Sequence, residues 1–144
     1  MKRNPQDLQY KVVSKLKDSR AKAEIHGRTI LSKPYTRKAD IVHEEGHYVL
    51  GHNLHKLPKT PQSYVREELD ANLYAYKKTK HPQHIKGNLR ALANDVYHYE
   101  YRETPKATIK IMDNAMSRKG MPTAWKNDWR GVKKEAKKAF GDRL

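Results

Sequence analysis

Apolar residues recur at the helical period along most of this chain, and polar breaks divide the pattern into six helical segments and one short strand. Leu8, Val12, Leu16 and Ala23, behind Pro5, predict a basic amphipathic helix over 5–24 that Gly27 ends. Residues 28–32, with Ile30 and Leu31 at their centre, predict a short strand that Lys33 and Pro34 close. Ala39, Val42, Gly46 and Leu50 then stand at i, i+3, i+7 and i+11. That spacing makes one helical stripe, with Thr36 or Asp40 as its N-cap and Gly51 just past its end. Residues 53–63, with Pro58 and Pro61, form a loop. In the next helix, over 64–75 and on to Tyr76, the apolar positions Val65, Leu69 and Tyr76 share a face with Glu68 and Asn72.

Beyond Pro82 the organisation changes. Ile85, Leu89, Leu92, Val96 and Tyr99 predict a third helix over 83–103, ended by Thr104 and Pro105. Thr108 to Ile111 alternate like a strand, but Ile109, Met112 and Met116 fit a helix, and residues 107–116 are read as helical. Gly120 and Pro122 make a break before a basic terminal helix over 122–140. It carries Trp125 and Trp129 one turn apart, as core or docking surface. The fold class is therefore α+β and predominantly helical, with a short strand or small sheet. Its expected division is a core over 1–82 and a helical extension over 83–144, or one single domain over 1–144.

The chemistry concentrates in His43-Glu44-Glu45-Gly46-His47, an H-E-x-x-H pattern. A helix turns about 100° per residue, so His43 and His47 share a face and can hold one zinc ion. Glu44, between them, is placed to take a proton from water at the metal's open side. Both histidines fall within the apolar stripe, where an imidazole without a hydrogen bond or a metal is costly. The plain alternative is a pair of satisfied core histidines. Gly46 costs about 1 kcal/mol against Ala in a helix interior, which predicts close approach of another segment.

Glu68 is the candidate third ligand, because a carboxylate on a core-facing stripe wants a cation, and Asn72 one turn on can orient a neighbouring ligand. Glu67 lies about 100° away around the helix and reads as a solvated charge. The metzincin extension would need Gly at position 50 and His at 53, where Leu50 and Asn53 stand. His52, about 180° from His43 if the helix continues, and His55 read as loop residues. For an oxyanion donor, Tyr48, Tyr97, Tyr99, Tyr101, His84 and His98 remain open.

The stretch H-E-E-G-H-Y-V-L-G-H, followed by E-L-D-A-N-L-Y-A, resembles the ImmA/IrrE group of small gluzincin-type metallopeptidases. The resemblance covers about residues 28 to 76. It implies a zincin-like metal-binding core, His43, His47 and Glu68 as zinc ligands, Glu44 as general base and Asn72 as their support. It also implies a regulatory protein as substrate, such as a DNA-bound repressor, and a small sheet lining the cleft. Asp70 and Tyr74 depart from the family's usual glutamate and phenylalanine. Lys77, Lys78 and Lys80 stand where its apolar continuation would run.

Composition adds three constraints. No cysteine excludes disulfides, thiolate ligands and a cysteine nucleophile. No apolar run approaches the length of a membrane span, and the residues after Met1 lack a secretion signal, so a cytoplasmic protein without membrane contact is expected. A formal charge of +15 attracts polyanions, so non-specific contact with nucleic acid is expected from the basic surface. Three readings follow: a zinc-dependent metallopeptidase cutting a regulatory protein; a non-proteolytic metal-containing adaptor or anti-repressor from a phage or mobile element; and a basic nucleic-acid-binding protein in which the motif is accidental.

Overall fold

The computed structural model describes residues 2–17, 21–80 and 85–144. Pro82 and His84, named above, and residues 18–20 of the segment expected to be helical lie outside the described residues. Among the described residues the chain forms strands β1 (Gln9–Val12), β2 (Ala23–His26) and β3 (Thr29–Ser32), then helices α1 (Lys38–Val49), α2 (Pro61–Thr79), α3 (Lys86–Asn94), α4 (Pro105–Met116) and α5 (Thr123–Phe140). A single π-helical turn, Asp95–Tyr99, continues α3. The mostly helical α+β class is as expected, and no described helix is long and apolar enough to cross a membrane.

Among the described residues of 5–24 the predicted helix does not form. Pro5–Asp7 make one 3-10 turn, capped by the Asn4 side chain accepting from the Gln6 N–H, and the chain then enters β1. β1 pairs in parallel with β3, Gln9 opposite Thr29 and Val12 opposite Ser32. Tyr10, Val12 and Val13 suit an extended backbone. The apolar spacing also separates under burial, for Leu8 is buried while Val12 is exposed on an edge strand. Pairing with a strand twenty residues on therefore overrides a local helical pattern.

The predicted strand over 28–32 does form, as β3, the centre of a sheet ordered β1-β3-β2. β2 and β3 make a hairpin with His26 opposite Thr29, and Gly27 opens its two-residue turn at φ 62, a left-handed value that favours glycine. Ile30 points into a small core with Leu8 and Tyr48, packed by Ile25, Ile41, Val49 and Leu54.

The chain divides into two compact units, one of Met1–Pro58 with Glu67–His81 and one of Lys59–Arg66 with Pro82–Leu144. In the second, Leu89, Val96, Met112, Trp125, Trp129 and Val132 are buried, so the two tryptophans belong to the core. The ambiguous segment is helical, as α4, with Thr104 accepting from the Ala107 N–H and Pro105 in its first turn. Trp129 Nε1–H and Lys133 both donate to Asp113, at 2.9 and 2.8 Å. The buried Asp128 accepts the Ile85 N–H at 2.9 Å, at the start of α3. Asp128→Ala is expected to leave that donor unsatisfied and to destabilise the unit by about 1–3 kcal/mol, read from the shift in a urea-unfolding midpoint.

Candidate metal centre

Helix α1 begins at Lys38, and its N-cap is Arg37, without a side-chain cap. Thr36 does not serve because its hydroxyl closes the preceding turn, accepting the Lys33 N–H at 3.0 Å and donating to the Lys33 carbonyl. Asp40 lies inside the helix and pairs with Arg37 at 3.2 Å. At the other end the outcome follows the expectation for Gly51. Its φ is 77, its N–H reaches the Tyr48 carbonyl, and the His52 N–H reaches back to the His47 carbonyl at 3.0 Å. These are the two bonds of a Schellman C-cap.

Within α1, His43 and His47 stand one turn apart with ring centroids 4.7 Å apart and ring planes nearly perpendicular. Their Nε2 atoms are separated by 3.0 Å. Glu68 Oε2, from α2, lies 2.9 Å from the first and 3.1 Å from the second. Three donor atoms thus converge on one point, a group that could hold a metal ion. Neighbouring donors in a tetrahedral zinc site, at metal–nitrogen distances of about 2.0–2.1 Å, stand about 3.3 Å apart. The observed triangle is within a few tenths of an ångström of that.

Each histidine is held from behind. His43 Nδ1–H donates to Asn72 Oδ1 at 2.7 Å, one turn along α2 from Glu68. That bond fixes the tautomer and leaves the Nε2 lone pair facing the triangle. His47 Nδ1 lies 2.8 Å from Nδ1 of His52. With Nε2 of His47 committed to the triangle, its Nδ1–H donates and His52 accepts. Burial first, and then the charge of His47, keep the His52 pKa down, which suits an acceptor. His52 is therefore absent from the triangle, as expected, yet it is no idle loop residue. Helical extrapolation hid this, because the Gly51 reversal folds His52 back over the helix end.

Lone pairs that face one another across 3 Å need a cation between them, a metal or protons. Without a metal, burial pushes the His43 imidazolium down, but the hydrogen bond and charge of Glu68, with Glu44 and Asn72, outweigh it and hold the pKa up at about 9. Burial would raise Glu68, but the hydrogen bonds and charges of both imidazoles hold it well below the usual carboxylate range. A metal must displace the His43 proton. Apparent affinity is accordingly expected to rise about tenfold per pH unit from neutrality and to level off above about 9. Competition with a chromophoric chelator across that range measures it, and a flat profile would refute the proton competition.

Glu44 lies between the ligand positions and outside the triangle. Burial raises its pKa more than the two imidazoles lower it, and Glu68 and Glu24 of β2 raise it further. Among the described residues nothing hydrogen-bonds its carboxylate. Glu67 does not enter the triangle. The residue after Glu44, Glu45, is buried on another side of α1, where Lys78 Nζ donates to both its oxygens at 2.7 Å and Tyr10 OH to one at 3.1 Å. This clamp ties β1 and α2 to α1, and no local pattern announces it.

Gly46 allows the close approach of α2. A Cβ there would stand 3.1 Å from the Ala71 carbonyl oxygen and 3.1 Å from Cβ and Cδ1 of Tyr74. Gly46→Ala is expected to cost about 1–3 kcal/mol despite its better helix propensity. It should also weaken metal binding, because Glu68 and Asn72 ride on the displaced helix. Parallel denaturation and metal titration test both effects, and a stabilised variant would overturn the packing argument.

Comparison of the chain with family models, curated proteins and solved structures gives no match.

Proposed function

We propose that this protein is a zinc metallopeptidase with a zincin-like core, in which His43, His47 and Glu68 hold the ion and Glu44 is the general base. The observation that carries the reading is the triangle of two Nε2 atoms and one carboxylate oxygen, backed by Asn72 and flanked by an unengaged carboxylate. The donor set fits zinc, since two imidazoles and one carboxylate make a three-ligand site that keeps a fourth position open. When bound there, zinc supplies Lewis-acid polarisation of a carbonyl and lowers the pKa of water to about 7.

The chain's own residues do the rest. Asn72 and His52 hold the two imidazoles in the tautomer that presents Nε2. Glu44 takes a proton from the attacking water on its carboxylate and returns it to the leaving amine. Its raised pKa brings it nearer the working pH, where a base that must later act as an acid is most efficient. The resemblance to the ImmA/IrrE group supports a regulatory protein as substrate, a DNA-bound repressor being the leading kind.

The test is a proteome-derived peptide mixture incubated with the zinc-loaded protein, with new N-termini mapped by mass spectrometry. New termini are expected with the wild type and not with Glu44→Gln at equal zinc content. Identical maps for both proteins would overturn the hydrolytic reading. A metal-containing adaptor would then be the better description.

A further inference from the structure

We propose that the outer face of α5 is a docking surface for the phosphodiester backbone of a nucleic-acid duplex. Lys126, Arg130, Lys134, Lys137 and Lys138 stand at i, i+4, i+8, i+11 and i+12 of this helix, and all five are exposed. At about 100° per residue they fall within an arc of about 120°. Among the described residues none of the five has an ion-pair or hydrogen-bond partner for its side chain. Neither acidic residue of the helix reaches this face. Asp128 is buried and bonded to the Ile85 N–H, and Glu135 is turned to Arg90, at 2.9 and 3.0 Å. Lys133, the other basic residue of this stretch, is spent on Asp113. The helix therefore sorts its cations, pairing one with Asp113 of α4 and leaving five unpaired on one side.

The spacing fits a phosphodiester chain. The five cations extend over about 18 Å of helix axis, at 1.5 Å per residue. A nucleic-acid strand within a duplex carries one phosphate per about 3.4 Å, so the same length faces about five of them. An anionic membrane would also attract the charge, but a membrane-binding helix inserts large apolar side chains beside its basic ones. Here Trp125 and Trp129 are buried, and no large hydrophobic residue of α5 is exposed. The net charge of +15 adds long-range attraction, while the face supplies the contact. This inference stands apart from the peptidase reading and needs no metal.

The experiment uses the full chain and a fluorescent 30-base-pair DNA duplex, with a duplex RNA of equal length to separate the two sources of phosphodiester. The wild-type affinity is expected to fall with salt at a log–log slope of about −4 to −5, near −0.9 per phosphate contact. Arg130→Gln/Lys134→Gln/Lys137→Gln should reduce the slope to about −2 and weaken binding on the order of 10²-fold at 0.1 M salt. The control is Lys11→Gln/Lys38→Gln/Lys56→Gln, which removes the same charge from exposed positions elsewhere and should change the slope little. Equal losses in the two triple variants would mean that net charge, not this face, binds nucleic acid, and the proposal fails. It fails equally if phosphatidylserine vesicles or polyglutamate of matched charge bind the wild type more tightly than either duplex and lose that binding in the α5 variant.

Discussion

Glu68→Ala is expected to abolish stoichiometric zinc, and with it the stabilisation that zinc gives the fold. Glu68 Oε2 is the one anionic corner of the triangle, within 3.1 Å of both imidazole nitrogens. Removing it leaves two neutral donors for a dication. The loss should exceed the 10–100-fold typical of deleting an outer partner, which is the range expected for Asn72→Ala. His43→Ala should match Glu68→Ala, since either change leaves two donors. Elemental analysis after dialysis against a weak chelator reads the stoichiometry. Thermal unfolding reads the linkage, because zinc at about 1,000 times its dissociation constant stabilises the wild type by about 4 kcal/mol and should leave Glu68→Ala nearly unchanged. One zinc per chain retained by Glu68→Ala but lost by His43→Ala would move the third ligand to another residue. No zinc in the wild type would end the metal reading altogether.

The graded series also shows why this much of the centre is legible in sequence. His43 and His47 are four residues apart in one helix, and Glu68 and Asn72 are four apart in another, so each pair is fixed by helical geometry alone. Gly46 marks where the two helices meet, because a glycine in a helix interior is unfavourable unless a neighbour needs the space. What the residues around them do depends on chain reversal and on long-range partners. His52 reaches His47 only because Gly51 turns the chain back, a step that breaks the helical period on which the reading rests. Glu45 meets Lys78 from 33 positions away, and a buried carboxylate next to the proposed base looks, in sequence, like one more surface charge. β1 illustrates the same limit for the fold. Leu8, Val12 and Leu16 satisfy a helical spacing, and only the presence of β3 as a pairing partner decides for a strand.

Glu44→Gln is the sharper test of chemistry, and its expected result is zinc retained with hydrolysis lost by 10²–10⁴-fold, the usual contribution of a positioned general base. That factor corresponds to about 3–5 kcal/mol of transition-state stabilisation. Glutamine keeps the shape and the helix propensity of glutamate, and Glu44 lies outside the Nε2/Nε2/Oε2 triangle, so metal affinity and unfolding temperature should change little. The two variants therefore separate the parts of the reading. Glu68→Ala removes the site, whereas Glu44→Gln leaves the site and removes the proton carrier. The pH profile gives an internal check. Burial raises the Glu44 pKa above its ordinary value, so the acidic limb of the wild-type rate should be displaced upward from that of an exposed glutamate. That limb should be missing from whatever residual activity Glu44→Gln keeps. A variant with full activity and an unchanged acidic limb would assign the base to another group, and the best-placed alternative on α2 is Glu67, whose carboxyl burial also raises.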